Sequence, residues 1–266
     1  MSAPITLAIH GAAGRMGQRL IAMGAADPAF KIVAALESPQ SAKIGQDAGT
    51  VAGIEPIGVP LSAAWFAPPA VVIDFSVPAA GIVIARKCAA AGVPLVLATT
   101  GFAAAEQTEI RELAKKIPLL WSPSMSLTVN LTMKLVEIAG RALANHPTGA
   151  DVEILERHHR MKEDAPSGTA LKFGQIAAEA MNLTKHTHGR EGRPGKRPHD
   201  EIGYHAIRTG DNPGEHTIIF GLLGETLELT VRASNRDCYA SGALAAAKFL
   251  AGKPAGLYGM NDVLGL

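Results

Sequence analysis

The sequence predicts an α/β fold: an N-terminal parallel sheet with crossover helices, followed by a C-terminal α+β part whose sheet is mostly antiparallel. Three observations predict it. Short apolar runs alternate with helical patterns through the first half of the chain. A glycine-rich turn separates the first run from the first helix. Near residue 126 the texture changes, and the chain later carries three closely spaced strand-like runs. Alternating strands and helices demand parallel strands joined by right-handed crossovers. Strands joined by short turns pair antiparallel.

Residues 5–9 are an apolar run ending at a glycine cluster, as suits a buried parallel strand. Residues 14–26 follow as a helix with Met16, Leu20, Ile21 and Met23 on its apolar stripe. Residues 31–36 form the second strand, and 71–75, 94–98 and 118–121 are further short apolar runs. Helical patterns at 78–91 and 103–116 lie between them. Beyond residue 126 the spacing predicts a long helix over 127–144, a strand over 152–155 and a helix over 168–181. Residues 184–200 are polar and rich in Gly and Pro and read as a long loop, a feature often tied to function. Strand-like runs at 202–208, 216–222 and 226–233 are joined by turn-rich segments and are expected to pair antiparallel. An alanine-rich helix covers 241–250.

The bulk chemistry excludes several classes. Lys plus Arg is 25 and Asp plus Glu is 24, a net charge of +1 that offers no nucleic-acid footprint and no membrane-binding surface. Aromatics are 5%, too few for a base-stacking platform. No apolar run reaches the roughly 18 residues of a membrane span. The N-terminal MSAPITLAIHG lacks a basic leader region, so a cytoplasmic protein is expected. Cys88 and Cys238 form no CxxC pair and read as small packing residues, with a lone disulfide between them as the alternative. His158 and His159 have no third ligand beside them, so no metal site is predicted.

Two segments carry chemistry. The first is HGAAGRMG, with Gly11, Gly14 and Gly17 each three apart between a strand and a helix. Glycines permit the tight turn and a close backbone approach, and the free amides of the helix start bind an anion. Gly11, Ala12, Ala13, Gly14, Arg15, Met16 and Gly17 thus form a candidate dinucleotide cradle of the Rossmann type, to which Arg15 adds a charge. Glu37 ends the second strand 20 residues after Gly17, where a carboxylate receives adenosine ribose hydroxyls. The second segment is RHHRMKEDAPSGTA at 157–170. Ser167 reads as an N-cap that leaves the amides of Gly168 and Thr169 free for a carboxylate. His158, His159 and Lys162 add donors and positive charge, a combination that binds a small anion and delivers a proton.

Across nearly its whole length the chain resembles the dihydrodipicolinate reductase family. The resemblance rests on GAAGRMG, VIDFSVP at 72–78, TTGF at 99–102, RHHRMKEDAPSGTA, REG at 190–192, RTGDNPGEHTIIF at 208–220 and the closing GLYGMNDVLGL. It implies reduction of a cyclic imine dicarboxylate by NADH or NADPH in the lysine and diaminopimelate pathway. It implies His158 as proton donor and Lys162 as second acid–base residue and carboxylate binder. His159, Ser167, Gly168, Thr169 and Arg236 become candidate substrate residues. Ala98, Thr99 and Thr100, with Ser122, Pro123, Ser124 and Met125, match the loops that flank the nicotinamide. It also implies that the last helix returns to the first domain. The domains become 1–126 with 237–266 for the dinucleotide, and 127–236 for substrate and oligomerisation, in a homotetramer built through the second sheet. Domain closure would bring hydride donor and imine together.

The chain departs from the family pattern at three points: Ala98 and Thr128 stand where the family has glycine, and Ser124 where it has an amide side chain. Ser38 follows Glu37 where many members carry arginine, which favours NADH over NADPH. The rival readings are a semialdehyde or homoserine dehydrogenase, of which the first needs a catalytic cysteine, and a non-catalytic nucleotide sensor, which has no use for HHRMK beside a carboxylate site.

Overall fold

The structure, a computed structural model, describes residues 3–266. Residues 1 and 2, part of the expected first domain and of the segment expected to lack a leader region, lie outside the described residues.

The elements run β1 (Ile5–His10), α1 (Arg15–Ala26), β2 (Phe30–Leu36), α2 (Ala48–Ala52), β3 (Leu61–Ser62), β4 (Val71–Asp74), α3 (Pro78–Ala91), β5 (Leu95–Leu97), α4 (Ala104–Leu113) and β6 (Pro118–Trp121). Next come α5 (Leu127–Leu143), β7 (Asp151–His158), α6 (Gly168–Met181), β8 (Lys185–His188), β9 (Glu201–Arg208), β10 (Glu215–Leu222) and β11 (Glu225–Arg232). The chain closes with α7 (Asp237–Leu250), β12 (Gly256–Tyr258) and α8 (Met260–Leu264). Two compact units result: Met1–Leu127 with Arg236–Leu266, and Thr128–Asn235.

In the first unit, among the described residues, seven parallel strands lie in the order β12-β6-β5-β4-β1-β2-β3. Both faces are covered, which explains why the strands read as continuous apolar runs. Leu7 and Ile9 of β1 join Val71 and Ile73 of β4 in one core with α1 and α7. Ala8 and Val72, one residue out of step, join the opposite core with Ile84 and Cys88 of α3 and Ile110 of α4. Each fully buried Leu or Ile contributes about 1.5–3 kcal/mol, so both layers hold the sheet. The chain moves outward from β1 through β2 to β3, then restarts at β4 on β1's other side. That reversal opens a crevice at the carboxyl ends of β1 and β4, the usual ligand position in open α/β sheets.

The second unit has the order β11-β10-β7-β9-β8. β10 pairs antiparallel with β11 and β7, while β9 pairs parallel with β7 and β8. Its core lies between one sheet face and helices α5 and α6, around Val136, Phe173, Ile154, Ile218 and Phe220.

The structure differs from the sequence expectation in several places. The segment 184–200 is not all loop, because residues 185–188 form β8 against β9. The strand runs nearest 202–208 and 216–222 are not neighbours, since β7 lies between them. The strand expected at 152–155 extends to His158 because its polar end is paired across the sheet with β9. The last long helix starts at Asp237 rather than 241. The short elements α2, β3, β12 and α8 carry too few residues for a periodic signal.

Helix α7 packs closely on the chain that follows β6. A Cβ added at Gly242 would lie 1.7 Å from the carbonyl oxygen of Met125. Gly242→Ala should therefore lower stability by about 2–3 kcal/mol, the usual cost of overpacking. Urea denaturation checks this, and a loss under 0.5 kcal/mol would refute the contact.

Candidate functional site

The crevice of the first unit is a cavity of about 800 Å³, within the range of about 300–1,000 Å³ common for small-molecule sites. His10, Gly11, Glu37, Lys43, Phe75 and Val77 lie in its walls. Gly11 has φ +77°, and a Cβ there would lie 2.7 Å from the carbonyl oxygen of Phe75. A Cβ at Gly17 would lie 2.2 Å from the carbonyl oxygen of Gly11. Only glycine lets α1 begin this close to β1. Gly14 caps α1 without a side-chain bond, and among the described residues the amides of Arg15 and Met16 meet no acceptor. Two free amides at a helix start offer a site for an anion.

Glu37 is fixed from both oxygens. Its Oε2 accepts from the Ala13 amide at 2.8 Å and its Oε1 from the Ser38 amide at 2.9 Å. This ties the carboxylate to the glycine loop while it faces the cavity. Behind the loop lies Asp74, fully buried at the end of β4. His10 Nδ1 meets Asp74 Oδ1 at 2.6 Å, and the Thr99 hydroxyl donates to Oδ2 at 2.6 Å. The Ser76 amide donates to Thr99 Oγ1 at 3.1 Å. Cavity, glycine contacts and unpaired amides together fit a dinucleotide.

In the second unit the segment 157–170 folds around Glu156. Residues Val152, Ile154, Glu156 and His158 alternate onto the buried face of β7, so a carboxylate and an imidazole end an apolar row. Glu156 is 1% exposed. It accepts from Arg208 Nη1 at 2.8 Å and Nη2 at 2.7 Å, and from the Ser167 amide at 3.0 Å. His158 Nδ1 lies 2.5 Å from its Oε2. Burial opposes ionisation of Glu156, but Arg208 and His158 outweigh it and hold the carboxyl below the usual range. For His158 burial is the largest influence, and together with the nearby positive charges of Lys162 and Arg208 it holds the imidazole below its usual value although Glu156 raises it.

With Nδ1 engaged, His158 keeps Nε2 for other chemistry. Gly214 stands beside it: its φ is +150°, and a Cβ there would lie 3.0 Å from Nε2. Arg208 Nε also donates to the Lys162 carbonyl at 3.2 Å, so one guanidinium braces both Glu156 and the loop after β7. Lys162 Nζ donates to Asp164 at 2.7 and 3.0 Å. The Ser167 hydroxyl accepts from the Ala170 amide at 3.2 Å and meets His216 Nε2 at 3.0 Å. Among the described residues the amides of Gly168 and Thr169 at the start of α6 meet no acceptor, and nothing lies within 4 Å of a Cβ at Gly168. An open helix start beside a lysine and a buried imidazole can take a carboxylate and pass a proton.

The predicted residues thus fall into two groups. Gly11 to Gly17, Glu37, Ala98 to Thr100 and Ser122 to Met125 belong to the first unit; His158, His159, Lys162, Ser167, Gly168 and Thr169 belong to the second. The Thr99 hydroxyl is used on Asp74, and the Met125 side chain is 1% exposed in the core. Ser167 is engaged through both its amide and its hydroxyl. Arg236, predicted beside the substrate residues, is the exposed N-cap of α7 in the first unit. Cys88 is buried, which pushes its thiol up to about 12 and leaves no catalytic thiolate. Among the described residues no His, Cys, Asp or Glu group could hold a metal ion, and no helix is long and apolar enough to cross a membrane.

Sequence reasoning missed His10, Asp74, Glu156, Arg208, Gly214 and His216. The available signal was a charge on a buried face: Asp74 closes VVID, and Glu156 falls in step with Val152 and Ile154.

Two family profiles match the chain, and the second runs from the second unit into the closing part of the first unit. The profile described as "Dihydrodipicolinate reductase, N-terminus" matches residues 5–125, and "Dihydrodipicolinate reductase, C-terminus" matches 128–264. A 4-hydroxy-tetrahydrodipicolinate reductase from Rhodopirellula baltica is 56% identical, covering 99% of this chain and 97% of its own. One from Alkalilimnicola ehrlichii is 46% identical, covering 98% of both. The solved structure of a dipicolinate-bound dihydrodipicolinate reductase from Paenisporosarcina sp. TG-14 is similar with a TM-score of 0.78 at 26% identity, covering 97% of this chain and 99% of that one. An amine dehydrogenase from Mycobacterium smegmatis shares the fold at a TM-score of 0.63 and 15% identity, covering 95% and 94%.

The buried histidines give the second unit a pH signature. Burial pushes His216 down to about 4, and the neighbouring His158 adds to the effect. The unfolded chain takes up this proton near pH 6.5, so the stabilisation is complete above 6.5 and is lost as pH falls toward 4. Glu153 and Glu201, held near 2, lose their contributions only below about pH 4.5. Between pH 6.5 and 4.5 the histidines therefore dominate. The urea-unfolding free energy should fall by about 2–3 kcal/mol across that window, and His216→Gln should remove most of the slope. An equal slope in the variant would refute this.

Proposed function

The chain belongs to the dihydrodipicolinate reductase family, and we propose that it uses the two sites above to reduce 4-hydroxy-tetrahydrodipicolinate to tetrahydrodipicolinate in lysine and diaminopimelate biosynthesis. One observation carries this reading: the buried Glu156–His158 pair stands beside Lys162 and the open amides of Gly168 and Thr169. The dipicolinate-bound state named for the similar structure supports a dicarboxylate ligand here.

The reduced nicotinamide cofactor supplies the hydride when bound. The first unit holds it: Gly11, Ala12, Ala13, Gly14, Arg15, Met16 and Gly17 take the diphosphate and Glu37 the adenosine ribose. Ala98, Thr99 and Thr100, with Ser122, Pro123, Ser124 and Met125, border the nicotinamide. The second unit holds the substrate. Gly168 and Thr169 donate their amides to one carboxylate, with His159 and Lys162 as further donors, while Ser167 shapes that helix start. Lys162 gives up Asp164 to receive the substrate. Arg236 is assigned to the substrate from the first unit.

His158 delivers the proton from Nε2, because Nδ1 is held by Glu156. The Glu156 carboxylate stabilises the imidazolium, fixes its orientation and is itself kept ionised by Arg208. Loss of the 4-hydroxyl group as water leaves a conjugated imine, and the proton neutralises the electron density that hydride addition then leaves on it. The second sheet turns Leu155 and Ile207 away from its core, 36% and 41% exposed. We assign that face to a homotetramer, in an enzyme working in the cytoplasm.

Oxidation of reduced cofactor with freshly generated substrate tests the reading. The parent should turn over, while His158→Gln and Lys162→Ala should each lose about 100-fold or more in kcat. Turnover near the parent's in both would sink the assignment. In the parent, kcat/KM should decline as pH rises, through a value below the usual histidine 6.5, because the acid must be protonated. Glu156→Gln removes the charge that raises His158, so the limb should move to lower pH. An unmoved limb refutes the role of Glu156.

The cofactor preference follows from Glu37. Two negative groups a few Å apart repel by roughly 1–4 kcal/mol, so a 2′-phosphate is disfavoured beside it, while Lys43 in the same cavity offsets part of the penalty. NADH should be preferred about 3- to 100-fold in kcat/KM, less at high salt. Steady-state kinetics with both cofactors decides, and a preference for NADPH at low salt would overturn it.

A further inference from the structure

His10 is the last residue of β1 and Asp74 the last of β4, and they are direct partners in register. They sit where the strand order reverses, one residue before the glycine loop. We propose that His10 is a binding residue for the dinucleotide, donating from Nε2 to its diphosphate while Nδ1 stays on Asp74; the proposal rests on the cofactor reading given above.

Three observations point to this role. Asp74 is fully buried, with His10 and Thr99 on its two oxygens, whereas the His10 side chain is 16% exposed and lines the cavity. His10 therefore stands between a buried carboxylate and the cavity, masking a charge that would repel an anion. Nδ1 is held at 2.6 Å, which fixes the ring, and among the described residues Nε2 meets no partner. An oriented ring with one engaged and one open nitrogen presents a directed donor. The loop that follows presents the free amides of Arg15 and Met16. A diphosphate has oxygens enough for these amides and an imidazole together. In the complex the ring would stay anchored on Asp74 through Nδ1 while Nε2 reaches the diphosphate.

Two substitutions separate the nitrogens. Asparagine places its amide nitrogen near the position of Nδ1, so His10→Asn keeps the Asp74 bond and removes the reach of Nε2. Glutamine places its amide nitrogen near Nε2, so His10→Gln keeps a donor toward the cavity. Titration of NADH fluorescence should show His10→Asn weakening binding about tenfold and His10→Gln holding within about threefold. Binding by His10→Asn within twofold of the parent overturns the proposal, as does an equal loss in both variants. If His10→Asn does not fold, the unmutated protein labelled with ¹⁵N-histidine answers instead. Its His10 Nε2 resonance, assigned from its absence in His10→Gln, should move on adding NADH, and an unmoved resonance overturns the contact. If the parent binds neither NADH nor NADPH, the cofactor reading itself fails and takes this proposal with it. A parent that binds while His10→Asn is unaffected removes only the role of His10.

Discussion

Taking the Glu156 carboxylate out of water costs several kcal/mol unless the ion is fully partnered, and each of its partners is a working part of the second unit. Arg208 supplies the opposite charge in a two-pronged contact and reaches on to the Lys162 carbonyl. The Ser167 amide anchors the start of α6 on the same group. His158 completes the set and is oriented by doing so. Loss of Arg208 would strip the buried carboxylate of its main opposite charge, a change of about 3–5 kcal/mol. One desolvated charge thus fixes the imidazole, the lysine loop and the open helix end together.

The first unit uses a similar device in a milder form. Asp74 ends a strand at the crevice and is satisfied by an imidazole and a hydroxyl rather than by a guanidinium. The Thr99 hydroxyl in turn receives the Ser76 amide, so three strand ends are tied at one point. In both units the buried row of a strand carries a carboxylate at or near its end, and the ligand-facing atoms are those left over once that carboxylate has been satisfied. Such fully bonded networks are rigid because any loosened member exposes an unpaired polar group in a medium of low polarity.

The glycine loop, the helix 168–181 and the parallel first sheet were legible because their signals are local: spacing, a capping serine and continuous apolar runs. The chemistry of RHHRMKEDAPSGTA was legible for the same reason. What stayed hidden depends on partners distant in sequence. Arg208 lies 52 residues from Glu156, and Asp74 lies 64 from His10. Strand order was hidden too, since β7 enters between β9 and β10 by tertiary pairing that no turn encodes. β8 escaped because four polar residues at a sheet edge carry no alternation. The resemblance to a family supplied residue roles, but it did not supply the buried groups that hold those residues in place.

The discontinuous first unit bears on how the chain is made. Synthesis proceeds from the N-terminus, so every residue of Thr128–Asn235 has been joined before α7 and β12 exist. Until then one face of the seven-stranded sheet lacks the helix that carries Ala240, Ala243, Leu244 and Leu250 into its core, and β6 is an open edge. The nascent protein therefore exposes a broad oily surface beside an unpaired strand, the kind of surface that chaperones bind and that aggregates when they are scarce. Emergence of α7 and β12, rather than of the first half, sets when the glycine-loop unit becomes whole.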